Sequence, residues 1–255
     1  MYSSKRFKPR PEAEILADIE RVARLGNAPT KIFLADGDAL VLSMRRLRPI
    51  LQTIKEKLPN TRRISAYALP SNLNRKSKEE LDELKALGLT LIYVGIESGD
   101  DQVLGAINKS ETSESTRLGL IKARQAGIKT SVMIINGLGG KQYSKQHAVN
   151  SAHLLNQVQP EYASILTLML PRGDARFQEG WQHNYQAMNQ EDLLRETALF
   201  LEHTELEQTI FRTDHASNYL VLKGTLGRDK TRLLLQIDQA LETPEHLRPE
   251  WSRGL

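Results

Sequence analysis

Five places in this 255-residue chain end an apolar run in residues able to do chemistry: Asp36-Gly37-Asp38, Ser65 with Tyr67, Glu97-Ser98, Asn136-Gly137 and Arg172. Carboxylates accept hydrogen bonds from an ammonium or from ribose hydroxyls, and glycine lets a ligand come close to the backbone. Together they suit a small polar ligand with cationic or hydroxyl groups, such as a nucleoside. Each has a plainer account when taken alone. Asp36 and Asp38 could cap the next helix, and Gly137, Gly139 and Gly140 could be turn residues. The recurrence of one design, an apolar strand running into polar groups, favours a shared site at one rim.

Other constellations are missing. Gly137-Leu138-Gly139-Gly140 has the spacing of neither a dinucleotide fingerprint nor a phosphate-binding P-loop. There is no HExxH pair, and His147 and His153, six residues apart, do not share a helical face; a lone histidine on such a helix is ordinarily a surface residue. No Gly-x-Ser-x-Gly elbow occurs. With no cysteine, the chain has no disulfide, thiolate metal site or cysteine nucleophile. No catalytic side chain and no metal ligand is assigned.

The net charge of +4 comes from 35 basic and 31 acidic residues in scattered order. Arg45-Arg46 with Arg48, and Arg62-Arg63, read as solvated faces, and no aromatics interleave them to stack bases, which argues against a nucleic-acid partner. The longest apolar runs, at residues 89–96 and 163–170, fall short of the ~18 residues of a membrane span. Lys5, Arg6, Lys8 and Arg10 precede a Pro-Glu-Ala-Glu segment rather than a signal-peptide core. The expectation is a cytoplasmic protein with no membrane partner.

The elements that must position these residues alternate. Ile15, Leu16, Ile19 and Val22 follow Pro11 at helical spacing; residues 31–35 read as a strand; Leu47, Ile50, Leu51, Ile54 and Leu58 mark a second helix. Residues 63–67 and 89–97 read as strands on either side of a helix over 78–86, which Gly88 closes. Thr112 or Ser113 caps a helix that ends at Gly127, and a strand over 130–135, a weaker helix over 145–158 and a strand over 163–170 follow. Strand starts recur every roughly 25 to 40 residues, which suits (β/α) units in a barrel or an open sheet. The fold class is therefore α/β, with a mostly parallel sheet and helices outside. Beyond residue 178 the alternation weakens, with helices over 191–203 and 230–241 and a short strand within 211–222. The expected division is a barrel-like unit over 1–180 and a mainly helical C-terminal extension over 181–255.

Several motifs in order carry a resemblance: Phe33-Leu34-Ala35-Asp36-Gly37-Asp38-Ala39-Leu40, Val94-Gly95-Ile96-Glu97-Ser98-Gly99, Leu104 with Ile107-Asn108-Lys109, and Ile134-Ile135-Asn136-Gly137-Leu138-Gly139-Gly140. Asp214-His215-Ala216-Ser217-Asn218-Tyr219-Leu220, Gly224-Thr225-Leu226 and Leu247-Arg248-Pro249-Glu250 continue it. The chain resembles the radical S-adenosylmethionine (radical SAM) superfamily, and within it the bacterial branch related to oxygen-independent coproporphyrinogen oxidase. The resemblance implies a partial (β/α)6 TIM-like barrel and a [4Fe-4S] cluster on three cysteines after the first strand. It also implies SAM as cofactor, cleaved to a 5′-deoxyadenosyl radical that abstracts hydrogen from a small-molecule substrate, and an electron donor such as flavodoxin or ferredoxin. Asp36, Gly37 and Asp38 stand where the family receives the methionyl amino group, Glu97 and Ser98 where it holds the ribose or methionyl moiety, and Ile135 and Gly137 where backbone meets adenine. Arg172, Arg176 and His215 are candidates for substrate contacts.

The sequence departs from that pattern in two places. Family members carry Cys-x-x-x-Cys-x-x-Cys shortly before a Met-Tyr pair, and here Met1-Tyr2 opens the chain. The expectation is a chain that starts just after the cluster loop, lacks the first barrel strand and the cluster ligands, leaves the strand over 31–35 as an exposed edge, and is inactive alone. The alternative is a cluster-free nucleoside- or partner-binding module derived from the same fold. Pro171-Arg172-Gly173-Asp174 also replaces the Gly-Thr-Pro turn of relatives.

Overall fold

The computed structural model describes residues 8–26, 29–171 and 173–254. Arg172 lies outside the described residues, as does the side chain of Arg176. In chain order the elements are α1 (Glu12–Arg24), β1 (Lys31–Asp38), α2 (Met44–Lys57), β2 (Arg63–Tyr67), α3 (Pro70–Arg75), α4 (Lys78–Ala86), β3 (Leu89–Glu97), α5 (Asp101–Ala106) and α6 (Ser113–Gln125). They continue with β4 (Lys129–Asn136), α7 (Gly140–Val158), β5 (Tyr162–Thr167), α8 (Ala175–Gly180), α9 (Gln190–His203), β6 (Ile210–Arg212), β7 (Lys223–Thr225) and α10 (Lys230–Glu242).

Local chemistry starts the helices where the sequence places them. Ser77 with Glu80, Thr112 with Ser115 and Asn189 with Asp192 form reciprocal capping boxes at α4, α6 and α9, satisfying first-turn N–H groups that no intrahelical carbonyl can reach. Strands alternate with helices through β6, and the seven strands among the described residues lie in the order β1-β2-β3-β4-β5-β6-β7. Neighbours pair in parallel from β1 to β6, and β7 returns antiparallel on β6.

Strand side chains sort by face. Ile92, Val94 and Ile96 of β3, Val132 and Ile134 of β4, and Ala163 and Ile165 of β5 join one core with Leu51, Leu81, Leu120, Leu155, Phe200 and Ile237 of the surrounding helices. The alternate residues Tyr93, Gly95, Glu97, Met133 and Ile135 are only half-buried and line the other, concave face. There Phe33, Tyr67 and Tyr93 meet edge to face, with centroids 4.9 Å apart for Phe33 and Tyr67 and 5.6 Å for Phe33 and Tyr93. Strand β1 is the edge of the sheet among the described residues.

Three expectations shift. The strand expected over 163–170 stops at Thr167, where Leu168 N–H turns to the Asn136 carbonyl at 2.9 Å. The short strand expected within 211–222 is β6, which starts at Ile210 and already ends at Arg212; β6 and β7 flank a loop closed by Thr213, whose N–H donates to Leu222 O at 3.0 Å and whose Oγ1 donates to Leu220 O at 2.7 Å. Helix α7 begins at Gly140, five residues before the apolar spacing suggested, because Gly140 takes a left-handed φ of 56° that turns the chain into the helix.

Candidate nucleoside-binding site

The carboxyl ends of β3, β4 and β5 open onto a cavity of about 370 Å³. Glu97, Lys109, Ile135, Leu166, Phe177 and His215 are among its lining residues. Glu97 ends β3 with a φ of 61°, a left-handed conformation that costs a non-glycine residue about 1–2 kcal/mol. That turn brings its carboxylate back over the strand: a Cβ added at Gly95 would stand 2.6 Å from Glu97 Oε1. Lys109 holds the carboxylate in place, its Nζ donating to Glu97 Oε1 at 2.9 Å and to Gly95 O at 3.1 Å. Both side chains are largely shielded, at 25% and 19% exposure, so the pair is screened less than a surface ion pair.

A second layer fixes the strand ends from behind. Ser98 is fully buried, and its Oγ accepts from Asp100 N–H at 3.0 Å and lies 2.7 Å from His147 Nδ1. His147 Nε2 lies 3.1 Å from Ile135 O. A carbonyl only accepts, so Nε2 carries a proton, and Nδ1 pairs with the Ser98 hydroxyl. One imidazole thus ties the end of β3 to the end of β4. His147 is 1% exposed, contrary to the expectation of a surface histidine, because it lies on the inward face of α7 with Ala148, Ser151 and Leu155.

Glu196 of α9 completes this layer. Its Oε1 accepts the Gly137 N–H at 2.6 Å, while Oε2 is buried without a partner among the described residues. Burial pushes its carboxyl above the ordinary carboxylate range, opposed by His147 and then by the Gly137 N–H. Tyr185, whose hydroxyl donates to Gly137 O at 2.9 Å, is pushed up to about 12, chiefly by burial and secondarily by Glu196. A raised folded-state pKa means that the folded chain holds the Glu196 proton more tightly than the unfolded chain. This group's contribution to stability is therefore full below its unfolded value near ~4.3 and is lost as pH rises through the folded value. A Glu196→Gln variant is expected to lose less stability than the parent between pH ~4 and neutrality, in urea titrations at several pH values. Parallel pH profiles for the two proteins would contradict the assignment.

The residues singled out in sequence are distributed over three places. Glu97, Ile135 and His215 meet at the one cavity. Ser98 and Gly137 stand behind it, Ser98 bonded to His147 and Gly137 to Glu196. Asp36, Gly37 and Asp38 line a separate cavity of about 400 Å³ with Arg10, Glu12 and Arg46. Asp36 and Gly37 both have positive φ, at 64° and 117°, where the register of β1 against β2 breaks between Leu34 and Asp38. Asp36 is exposed, whereas Asp38 caps the following turn: Oδ1 accepts from Leu40 N–H at 2.7 Å, and Oδ2 accepts from Leu69 N–H at 2.7 Å and Asn72 Nδ2 at 2.6 Å. Lys109 lay within a stretch singled out in the sequence and His147 was read there as a surface histidine, whereas Tyr185 and Glu196 were not singled out.

Parallel strands, outer helices and a polar rim at the strand ends define an α/β partial-barrel scaffold. The family model for the radical SAM superfamily matches residues 2–155, and the chain belongs to that superfamily. It is 25% identical over 155 residues to the heme chaperone HemW of Bacillus subtilis (strain 168), a match covering 60% of this chain and 40% of that protein. Its fold is similar to that of the radical SAM enzyme coproporphyrinogen III oxidase (HemN) from Escherichia coli, with TM-score 0.60 and 19% identity over 77% of this chain and 48% of the other. Elp3 of the archaeon Methanocaldococcus infernus is also similar, with TM-score 0.56 and 15% identity over 93% of this chain and 60% of the other. The fold is thus an α/β partial barrel of the radical SAM kind with a C-terminal extension. The chain spans less than half the length of the curated relative and of the oxidase.

Proposed function

We propose that this chain is the SAM-binding portion of a radical SAM enzyme, with the adenosyl group held in the cavity at the ends of β3, β4 and β5. The observation that supports this most is the donor set there: a shielded carboxylate at Glu97, apolar walls from Ile107, Ile135, Leu138 and Phe177, and the His215 ring. Glu97 accepts hydrogen bonds from ribose hydroxyls, Lys109 orients it, and the apolar walls exclude water from a flat base. Asp36 lines the separate cavity beside β1 and is given no contact with this ligand. With an electron supplied from a cluster these residues do not hold, bound SAM would furnish the 5′-deoxyadenosyl group for hydrogen abstraction, and Glu97 and Lys109 would hold its ribose. Substitution of Glu97 by Ala is expected to weaken SAM binding about tenfold or more by calorimetry, the size of one shielded charge-assisted hydrogen bond. An unchanged affinity would remove Glu97 from the site.

The residues present do not fit the [4Fe-4S] cluster. The sequence has no cysteine, and no group of three His, Cys, Asp or Glu side chains among the described residues could hold a metal ion. No step through the cluster is therefore assigned to these residues, and an electron donor such as flavodoxin or ferredoxin acts only where a cluster is supplied. That same observation favours a second reading, a cluster-free nucleoside-binding module.

The two readings separate on one preparation. The chain is extended upstream by a Cys-x-x-x-Cys-x-x-Cys segment, reconstituted anaerobically with iron and sulfide, and given SAM and dithionite. Release of 5′-deoxyadenosine and methionine is the result expected of an enzyme. SAM binding with no cleavage would leave the binding module, and no binding would remove both.

A further inference from the structure

The loop between β6 and β7 is fastened more heavily than a connection requires. Ser217 and Asn218 are buried against the end of β5: Thr167 N–H donates to Ser217 Oγ at 3.0 Å, Thr167 Oγ1 donates to Asn218 Oδ1 at 3.0 Å, and Asn218 Nδ2 donates to Ile165 O at 2.7 Å. The C-terminal tail grips the loop from the other side. Arg248 Nη1 donates to the carbonyls of His215 at 2.9 Å and Asn218 at 3.0 Å, and Arg253 Nε donates to Ser217 O at 2.8 Å. The Arg253 guanidinium also lies 3.7 Å from the centre of the Tyr219 ring. These bonds fix the backbone at His215, an exposed residue that lines the Glu97 cavity.

The loop also sets the proton on the His215 ring. Nδ1 lies 3.2 Å from Ser217 N, which can only donate, and 2.9 Å from Ser217 Oγ. Because that Oγ already accepts from Thr167 N–H, its own hydrogen is free to go to Nδ1. A ring nitrogen that accepts carries no proton, so the neutral imidazole is held with its proton on Nε2. Nε2 has no partner among the described residues. The other polar groups at the cavity are committed: Lys109 to Glu97 and Gly95 O, Thr167 Oγ1 to Asn218, and Ser217 to His215 itself.

We propose that His215 donates its Nε2–H to a ring-nitrogen acceptor on the base of a purine nucleoside in this cavity, an assignment that rests on the nucleoside reading of the cavity. The lone pairs of a purine lie in the ring plane at its edge and need a donor once the faces are covered by apolar walls. Glu97 supplies an acceptor and His215 a donor, which suits a ligand with hydroxyls on one part and bare ring nitrogens on another. The Asp214-His215-Ala216-Ser217-Asn218 stretch thereby gains a role beyond closing a loop.

The test uses adenosine and its 1-deaza, 3-deaza and 7-deaza analogues as probes, titrated by calorimetry into the chain and into His215→Ala. The side chain is exposed, and because its loss frees the Ser217 N–H and hydroxyl, the melting midpoint of the variant is measured alongside. His215→Ala is expected to bind adenosine about tenfold more weakly, the worth of one neutral hydrogen bond. One deaza analogue is expected to bind the parent chain about tenfold more weakly and the variant no worse than adenosine does. Equal adenosine binding by both proteins, or the same penalty for every analogue in both, would overturn the assignment while leaving the cavity a nucleoside site. Failure of adenosine to bind the parent chain would overturn both. Nitrogen-15 NMR of the imidazole gives a ligand-free check: a proton on Nε2 is expected, and a proton on Nδ1 would contradict the inference.

Discussion

A Gly99→Ala variant is expected to be less stable than the parent chain by about 3 kcal/mol, the upper end for a methyl forced into a packed interior. The added Cβ would stand 2.6 Å from Ser151 Cα and against the Asn150 carbonyl, both backbone atoms of α7. Neither side can retreat cheaply. Gly99 N–H donates to Ser151 Oγ at 2.8 Å, Ser98 on one side is bonded to His147, and Asp100 on the other accepts from Val103 N–H, Gln146 Nε2 and Asn150 Nδ2. In a chain of this size the loss should lower the melting midpoint by roughly 6–12 °C in calorimetry. A midpoint within about 2 °C of the parent would mean that the loop yields and is not clamped to α7.

His147→Leu is expected to cost about 2–4 kcal/mol in urea unfolding, though leucine is apolar and of similar volume. The substitution takes the imidazole from two groups at once, leaving Ser98 Oγ with the Asp100 N–H and the Ile135 carbonyl with the Leu138 N–H at 3.3 Å. Because those groups end β3 and β4 beside Glu97 and Ile135, adenosine affinity should fall as well, while His147 itself lines no part of the proposed cavity. A stability loss under about 1 kcal/mol would show that Ser98 and Ile135 find other partners and that the imidazole does not fix the rim.

Much of this was legible before any coordinates. The apolar run from Leu91 to Ile96 could hardly be other than a buried strand, and Thr112 as a capping signal set the start of α6 to within a residue. The alternation of strands and helices therefore implied the parallel sheet. What the sequence could not show is which polar residues share a cavity. Glu97 and His215 lie 118 positions apart and meet only because β6 adds to β5 and its following loop folds over the strand ends. Asp36 near the end of β1 and Glu97 at the end of β3 both take a left-handed φ, yet they line different cavities. His147 and Glu196 were illegible for another reason. A buried polar residue on a helix looks like any exposed one until the facing surface is known, and their partners are mostly backbone groups at distant strand ends.

The most direct measurement is a methyl NMR titration of the chain with SAM, following isoleucine and leucine methyls on the walls of both cavities. Saturable shifts at Ile107, Ile135, Leu138 and Leu166, reduced in a Glu97→Ala variant, are the result expected if the adenosyl group sits at the ends of β3, β4 and β5. Shifts confined to Leu47 and Ile50, beside the Asp36 cavity, would place the ligand elsewhere, and the absence of shifts at both would contradict SAM binding by this chain.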